Sequence, residues 1–297
     1  MPVDHAIEID SLTKAYRSNK VLDGASLRVD RGKIVAVLGE NGAGKTTTIR
    51  TLMGFVRPDA GSVKVFGLDV RKHTNDIRRR VGYVSDHPAL YEWMTVKEMG
   101  WFCAAFYDGA FGDRFEELMA EFDVSLKQRI ECLSRGQKAR VALSLALAAE
   151  PELLIMDEPT SGLDPIVRRE FLEKIRQFAV GNRSVLLASH QVEDVERVAD
   201  AVAILRPNGK FLSASVDELK QQIRELSFAG AKPEFLDGLV VLSESEADGR
   251  TKLIVEKPSA EQIASLRNTA GVTNFEEREP GLEEVYFAVL RGSAATN

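Results

Sequence analysis

The hydrophobic and polar positions fall into three textures along the chain. His5–Asp10 and Ser26–Asp30 alternate with period two and predict short strands, with turn chemistry expected at Ser18-Asn19-Lys20 and at Asp23-Gly24-Ala25-Ser26. Ile34–Gly39, Leu153–Met156 and Val185–Ser189 are continuous apolar runs instead, the pattern of strands buried on both faces of a parallel sheet. Thr46–Phe55 after the first run reads as a helix, and further helical stretches separate the others, so the core is predicted to be a mostly parallel α/β sheet. Between about residues 90 and 150, the segments Glu92–Tyr107, Asp113–Phe122 and Gly136–Glu150 all carry helical spacing, a helical insert between sheet strands.

After about residue 215 the texture changes again. Val240–Lys257 predicts a hairpin around Asp248-Gly249, Ser259–Gly271 a capped helix, Val272–Glu277 a strand, and Gly281–Leu290 a short amphipathic helix. Residues 220–297 are therefore expected to form a small α+β domain beside a first domain of residues 1–215. No apolar run reaches the ~18 residues that span a bilayer, and the acidic opening lacks the layout of a signal peptide. The expectation is a chain that stays in the cytoplasm.

Composition narrows the function. The 39 basic and 45 acidic residues leave a net charge of −6, which argues against a nucleic-acid partner. Cys103 and Cys132 have no CxxC spacing and the chain has only 4 histidines, so neither a disulfide framework nor a structural zinc site is expected.

The chemistry enters with Gly39-Glu40-Asn41-Gly42-Ala43-Gly44-Lys45-Thr46, a GxxxxGK[ST] motif lying between a buried strand and a helix. Its glycines let several backbone N–H groups converge on phosphate oxygens, and the helix start adds partial positive charge. Lys45 is placed to reach the β- and γ-phosphates of ATP, and the Thr46 hydroxyl to ligate Mg²⁺. The strand Leu153–Met156 then delivers Asp157 and Glu158 at its carboxyl end, where open α/β sheets bind ligands. Asp157 suits a metal ion, and Glu158 suits polarising a water for attack on the γ-phosphate. Paired acids at a strand end are also common as merely solvated groups.

Leu133-Ser134-Arg135-Gly136-Gln137 stands before an Ala/Leu-rich helix, Ser161-Gly162-Leu163-Asp164 follows the acidic pair, and His190 ends the next apolar strand. In this order the elements resemble the ATP-binding-cassette transporter ATPases over about residues 5–215. The resemblance implies a P-loop NTPase core with an antiparallel β subdomain. It implies Tyr16 as the aromatic stacking on adenine, and Asn41, Gly42, Ala43, Gly44, Lys45, Thr46 and Thr47 as the phosphate loop. It further implies Ser134, Gly136 and Gln137 as the signature that closes over the ATP of a second protomer, Asp164 in the loop linking the two sites, and His190 as the γ-phosphate switch. The chain has one phosphate loop and one signature, so the resemblance implies a homodimer, or a dimer with a related ATPase, when ATP is bound. It also implies a separate transmembrane permease subunit that holds the chain at the inner face of the membrane.

Two positions depart from the family pattern. Arg135 replaces the usual glycine of LSGGQ, adding a bulky cation. Asp86, in Gly82–Asp86, stands where the family often has a glutamine that touches Mg²⁺ and the attacking water. Seven of the chain's aromatics fall within residues 91–111: Tyr91, Trp93, Trp101, Phe102, Phe106, Tyr107 and Phe111. They read either as core of the helical insert or as a groove for a helix of the membrane subunit. Gly281–Leu290 and the stretch Gly82–Met99 resemble ATPases that serve bacterial multidrug, antibiotic and polysaccharide-lipid exporters. The alternatives are a soluble ATPase of the same superfamily and a regulatory module that binds ATP without hydrolysing it.

Overall fold

The computed structural model describes residues 5–107, 109–230, 238–247 and 249–292. The chain opens with β1 (His5–Tyr16), β2 (Asn19–Asp30) and β3 (Ile34–Leu38), then α1 (Lys45–Leu52), β4 (Ala60–Val65), β5 (Leu68–Asp69), α2 (Thr74–Arg80) and β6 (Val81–Val84). The helices α3 (Val96–Ala104), α4 (Phe111–Glu121) and α5 (Arg135–Ala148) lie between β6 and β7 (Leu153–Asp157). There follow α6 (Pro165–Phe178), β8 (Ser184–Ser189), α7 (Val192–Val198), β9 (Ala201–Leu205) and β10 (Phe211–Ser215). The last stretch holds α8 (Val216–Gln222), β11 (Ile223–Gly230), β12 (Val240–Ala247), β13 (Arg250–Glu256), α9 (Ala260–Arg267), β14 (Val272–Arg278) and α10 (Leu282–Gly292).

The continuous apolar runs become the centre of a six-stranded sheet, ordered β10-β9-β3-β8-β7-β6, in which only the edge strand β10 pairs antiparallel. Every residue of β3, β7 and β8 is buried. The pleat divides them between two faces. Val35, Val37 and Ile155 join a core beneath the antiparallel sheet β2-β1-β4-β5, whereas Leu154, Met156 and Leu187 face α5 and α6. The helices of residues 96–148 pack around Phe111, Phe115 and Met119 as a core of their own, as the insert reading expected.

One local expectation is corrected. Asp23-Gly24-Ala25-Ser26 is no turn but part of β2, where the register slips between the pairs Leu12–Ala25 and Lys14–Leu22. Gly24 sits at φ 67° there, and its N–H bonds the Thr13 hydroxyl at 3.2 Å. Turns and bulges recruit the same residue types because both need the left-handed backbone region. The helix expected over Thr46–Phe55 also stops early, at Leu52, with Gly54 at φ 67°.

Beyond β10, the sheet β12-β13-β11-β14 contains the expected hairpin as β12 and β13 and the expected strand as β14, joined by β11, which the sequence pattern did not announce; Asp248 of the hairpin turn lies outside the described residues. Leu282, Val285, Tyr286 and Val289, spaced as one helical face, carry α10 onto Ala36 and Leu38 of β3 and Val192 and Val195 of α7. Each such side chain contributes about 1.5–3 kcal/mol of burial before entropy is set against it. A polar clamp fixes the same helix to its own sheet. Buried Glu225 takes a two-bond fork from Arg278 at 2.8 and 2.7 Å and an ion pair from Lys252 at 2.7 Å. Glu284 accepts from Lys252 at 2.9 Å, from Arg278 at 2.5 Å and from the Gly281 N–H at 2.9 Å.

Burial alone would push the Glu284 carboxyl up, but those hydrogen bonds from Arg278, Lys252 and Gly281 override it and bring it down to about 2. A depressed carboxylate stabilises the fold above its unfolded value, near 4.5, and loses that contribution as the pH falls toward 2. Glu284→Gln is therefore expected to lower Tm at pH 7. The gap to the parent protein should close as the pH is taken from about 4.5 toward 2, as followed by calorimetry.

Candidate active site

Strand β3 runs into a loop that turns sharply into α1, and the turn depends on Gly44 at φ 116°. The first N–H groups of any helix lack an intrahelical acceptor, so the start of α1 offers donors to an anion. Lys45 lies in that first turn, 6% exposed. Its Nζ donates to the Gly39 carbonyl at 2.7 Å and the Glu40 carbonyl at 3.3 Å, and stands 3.1 Å from Glu158 Oε1. The other Glu158 oxygen accepts from the His190 backbone N–H at 3.2 Å and lies 2.7 Å from His190 Nδ1. Parallel strands β7 and β8, hydrogen-bonded in register, put the acid and the histidine side by side although 32 residues separate them.

Asp157, the last residue of β7, is 3% exposed, and its Oδ1 has no hydrogen-bond partner. Burial pushes its carboxyl up, the Thr46 hydroxyl bonded to it pulls it down, the charges of Glu158 and Asp86 raise it and Lys45 lowers it. An orphaned buried carboxylate oxygen beside a threonine hydroxyl is a pair of hard oxygens that suits Mg²⁺. Asp86 is half-exposed, pairs with His87 at 3.0 Å, and lines with Glu158, Ser161 and Arg135 a cleft of about 280 Å³.

Most of the remaining predicted residues are held by contacts on their own elements. Exposed Tyr16 ends β1 at the hairpin whose second arm brings Val21 and Leu22 against Gly44. Ser134 caps α5 in a reciprocal box with Gln137, at 3.2 and 2.9 Å, and Gly136 fits closely against Val167 of α6. The signature's polar side chains are thus committed to holding their own helix start. Asp164 caps α6 through the N–H groups of Ile166 and Val167, both at 3.1 Å, with Pro165 as the first helical residue. The bulky Arg135 folds back over Gly162, where a Cβ would meet its Nη1 at 2.3 Å.

Two residues at the site were absent from the sequence reading. Thr160 and Asp194, both buried, are joined by a 2.7 Å hydrogen bond just behind Glu158 and His190. Their only trace in the sequence is a polar residue on each of two segments that otherwise bury apolar ones.

The sequence pattern of the ABC transporter family matches residues 22–161. Over 299 aligned residues the chain is 33% identical to the uncharacterized ABC transporter ATP-binding protein YxlF of Bacillus subtilis (strain 168), covering 96% of this chain and 99% of that protein. It is 30% identical over 292 residues to the Nod factor export ATP-binding protein I of Rhizobium etli, covering 95% and 92%. Among solved structures, an ATP-binding subunit of an ABC transporter superposes with a TM-score of 0.67 at 31% identity, covering 73% of this chain and 92% of that one.

The loop geometry makes a direct prediction. A Cβ on Gly44 would lie 2.8 Å from Val21 Cγ1 and require a backbone that L-residues rarely adopt. Gly44→Ala is expected to lower Tm, with about 1–3 kcal/mol of strain, and to weaken binding of a fluorescent ATP analogue at least tenfold. Gly112→Ala, with open space around its Cβ, is the control expected to leave both unchanged.

Proposed function

This chain belongs to the ABC transporter family as one of its ATP-binding subunits, and we propose that it hydrolyses ATP at this site to drive export through a separate membrane-spanning subunit. The observation that carries the reading is the cluster Lys45–Glu158–His190 set beside the unpartnered oxygen of Asp157. When ATP enters, Lys45 exchanges Glu158 and the loop carbonyls for the β- and γ-phosphate oxygens, which leaves Glu158 free to act as a base. His190 holds the freed carboxylate through Nδ1. A water oxygen then bonds the γ-phosphorus, its proton passes to Glu158, and the bridging P–O bond breaks to release ADP. Thr46, Asp157 and Asp86 would hold Mg²⁺, which neutralises charge on the β- and γ-phosphates.

Tyr16 stacks on adenine in this reading, and the loop Gly39–Thr47 cradles the phosphates. Ser134, Gly136 and Gln137 close over the ATP of a second copy, with Asp164 in the loop between the two sites, so two chains assemble head to tail around two nucleotides. Closure is a two-state change biased by the γ-phosphate. Arg135, stowed against Gly162, leaves the start of α5 open to the partner's nucleotide.

The membrane subunit docks on an aromatic strip of the helical insert. Trp93, Trp101 and Phe106 are 65%, 77% and 72% exposed, and ring contacts run from Trp93 through Tyr91 and Phe102 to Phe106. Exposed aromatics of this kind serve as anchors at interfaces. Phe111 of the same sequence run is buried instead. The subunit so docked works at the inner face of the membrane. Among the described residues no helix is long and apolar enough to cross a bilayer. Export is the direction carried by the relative named for Nod factor export, and that likeness to transport proteins favours this reading over a soluble or non-hydrolysing module.

Purified protein and its Glu158→Gln variant test the proposal together. The parent is expected to release phosphate from ATP·Mg²⁺, and the variant to fall at least a hundredfold, the size of a lost general base. By light scattering, the variant is expected to be monomeric alone and dimeric with ATP·Mg²⁺. Equal turnover in the two proteins would refute the role of Glu158, and a mass unaffected by nucleotide would refute the sandwich.

A further inference from the structure

Asp194 is the most buried ionisable side chain among the described residues, 1% exposed, and the hydrolytic scheme above gives it no task. It lies in the first turn of α7, four residues after His190. Its Oδ2 accepts from the Thr160 hydroxyl at 2.7 Å, and its Oδ1 stands 3.7 Å from Arg168 Nη1 of α6. Thr160 in turn lies two residues after Glu158. Glu158 itself occupies a left-handed backbone position, φ 49°, uncommon for a residue with a side chain.

The backbone bond from Glu158 N–H to Ala188 O at 2.9 Å ties the turn to β8, and that from Ser161 N–H to Glu158 O at 3.1 Å closes the turn itself. The Thr160–Asp194 bond ties it to α7. Contacts therefore close into a ring: Glu158 to Thr160 along the chain, Thr160 to Asp194 by hydrogen bond, Asp194 to His190 along the chain, and His190 back to Glu158 at 2.7 Å. Two segments that meet at the reacting end of the sheet are pinned a second time behind it. A neutral hydroxyl donor and a guanidinium are suitable partners for a carboxylate removed from water.

We propose that Thr160 and Asp194 are positioning residues for hydrolysis, a brace that fixes the distance and angle between Glu158 and His190 without touching ATP. The inference rests on the hydrolytic reading of Glu158 given above. Its consequence is selective: the phosphate loop lies on another strand, so nucleotide binding should be indifferent to the brace while the chemical step is not. Misplacing a reacting group by about an ångström costs up to about a hundredfold in rate.

The test is steady-state ATP·Mg²⁺ hydrolysis by the full chain, with Tm and fluorescent-nucleotide binding measured on the same samples. Thr160→Val, which keeps the shape and removes the donor, is expected to lower kcat at least tenfold while KM and nucleotide affinity stay within about twofold. Thr160→Ser is expected to restore kcat. Asp194→Asn should give an intermediate loss, and if it does not fold, the two Thr160 variants decide alone. Unchanged kcat in Thr160→Val, or a serine variant as impaired as the valine one, overturns the brace. An active Glu158→Gln protein overturns the underlying hydrolytic reading instead, so the two failures are distinguishable.

Discussion

An ammonium group almost wholly removed from water has to be neutralised, and Lys45 is neutralised by Glu158. The rest of the site is arranged around that pair. Placing Glu158 opposite Lys45 requires a buried strand that ends within reach of the phosphate loop, and β7 does so although β8 lies between it and β3. Delivering an acid there also brings Asp157, whose carboxyl burial pushes up, and the charges of Glu158 and Asp86 push it further the same way. One lysine does not offset three acids, and the surplus negative charge is what a divalent cation or a proton would relieve. The parallel sheet, the glycine-dependent turn and the buried frame thus all serve to hold unlike charges together and like charges near one another at a single edge.

The positions of the candidate site residues were legible because most of them follow a local signal. Lys45 and Thr46 follow a buried strand and a glycine at positive φ, Asp157 and Glu158 close an unbroken apolar run, and His190 follows the buried strand that ends at Ser189. The family order implied Asp164 as a site residue, and its visible work is capping α6, which the Asp-Pro pair announces. Asp23–Ser26 misled because a bulge and a turn draw on the same backbone freedom. Thr160 and Asp194 were invisible for a different reason: a hydrogen bond between residues 34 positions apart leaves no periodicity behind. The stowing of Arg135 was equally hidden, since it depends on Gly162 lacking a side chain in a distant loop.

The helical insert and the residues after β10 show the limit of pattern reading from another side. Amphipathic spacing states which face of a helix is buried, never against what. In the insert most apolar faces meet one another around Phe111, Phe115 and Met119, and a minority, Trp101 and Phe106 among them, stay largely exposed. In α10 the spacing of Leu282, Val285, Tyr286 and Val289 is ordinary, yet its target is the back of the strand that feeds the phosphate loop. Tyr286 shows how near that is: burial, and then the charges of Glu40 and Glu158, push its phenol up to about 12.

That placement has a practical side for anyone who trims or retags the protein. Stopping the chain after Ser215 would remove the α8, β11, β13 and α10 residues from the apolar cluster that they share with Ala36, Leu38, Val195, Val202 and Ile204. The product would be a sticky fragment prone to self-association, not a minimal motor. A shortened form meant for soluble expression would need polar replacements on α7, where Val192 and Val195 come to the surface, before the buried strands behind it could be left alone.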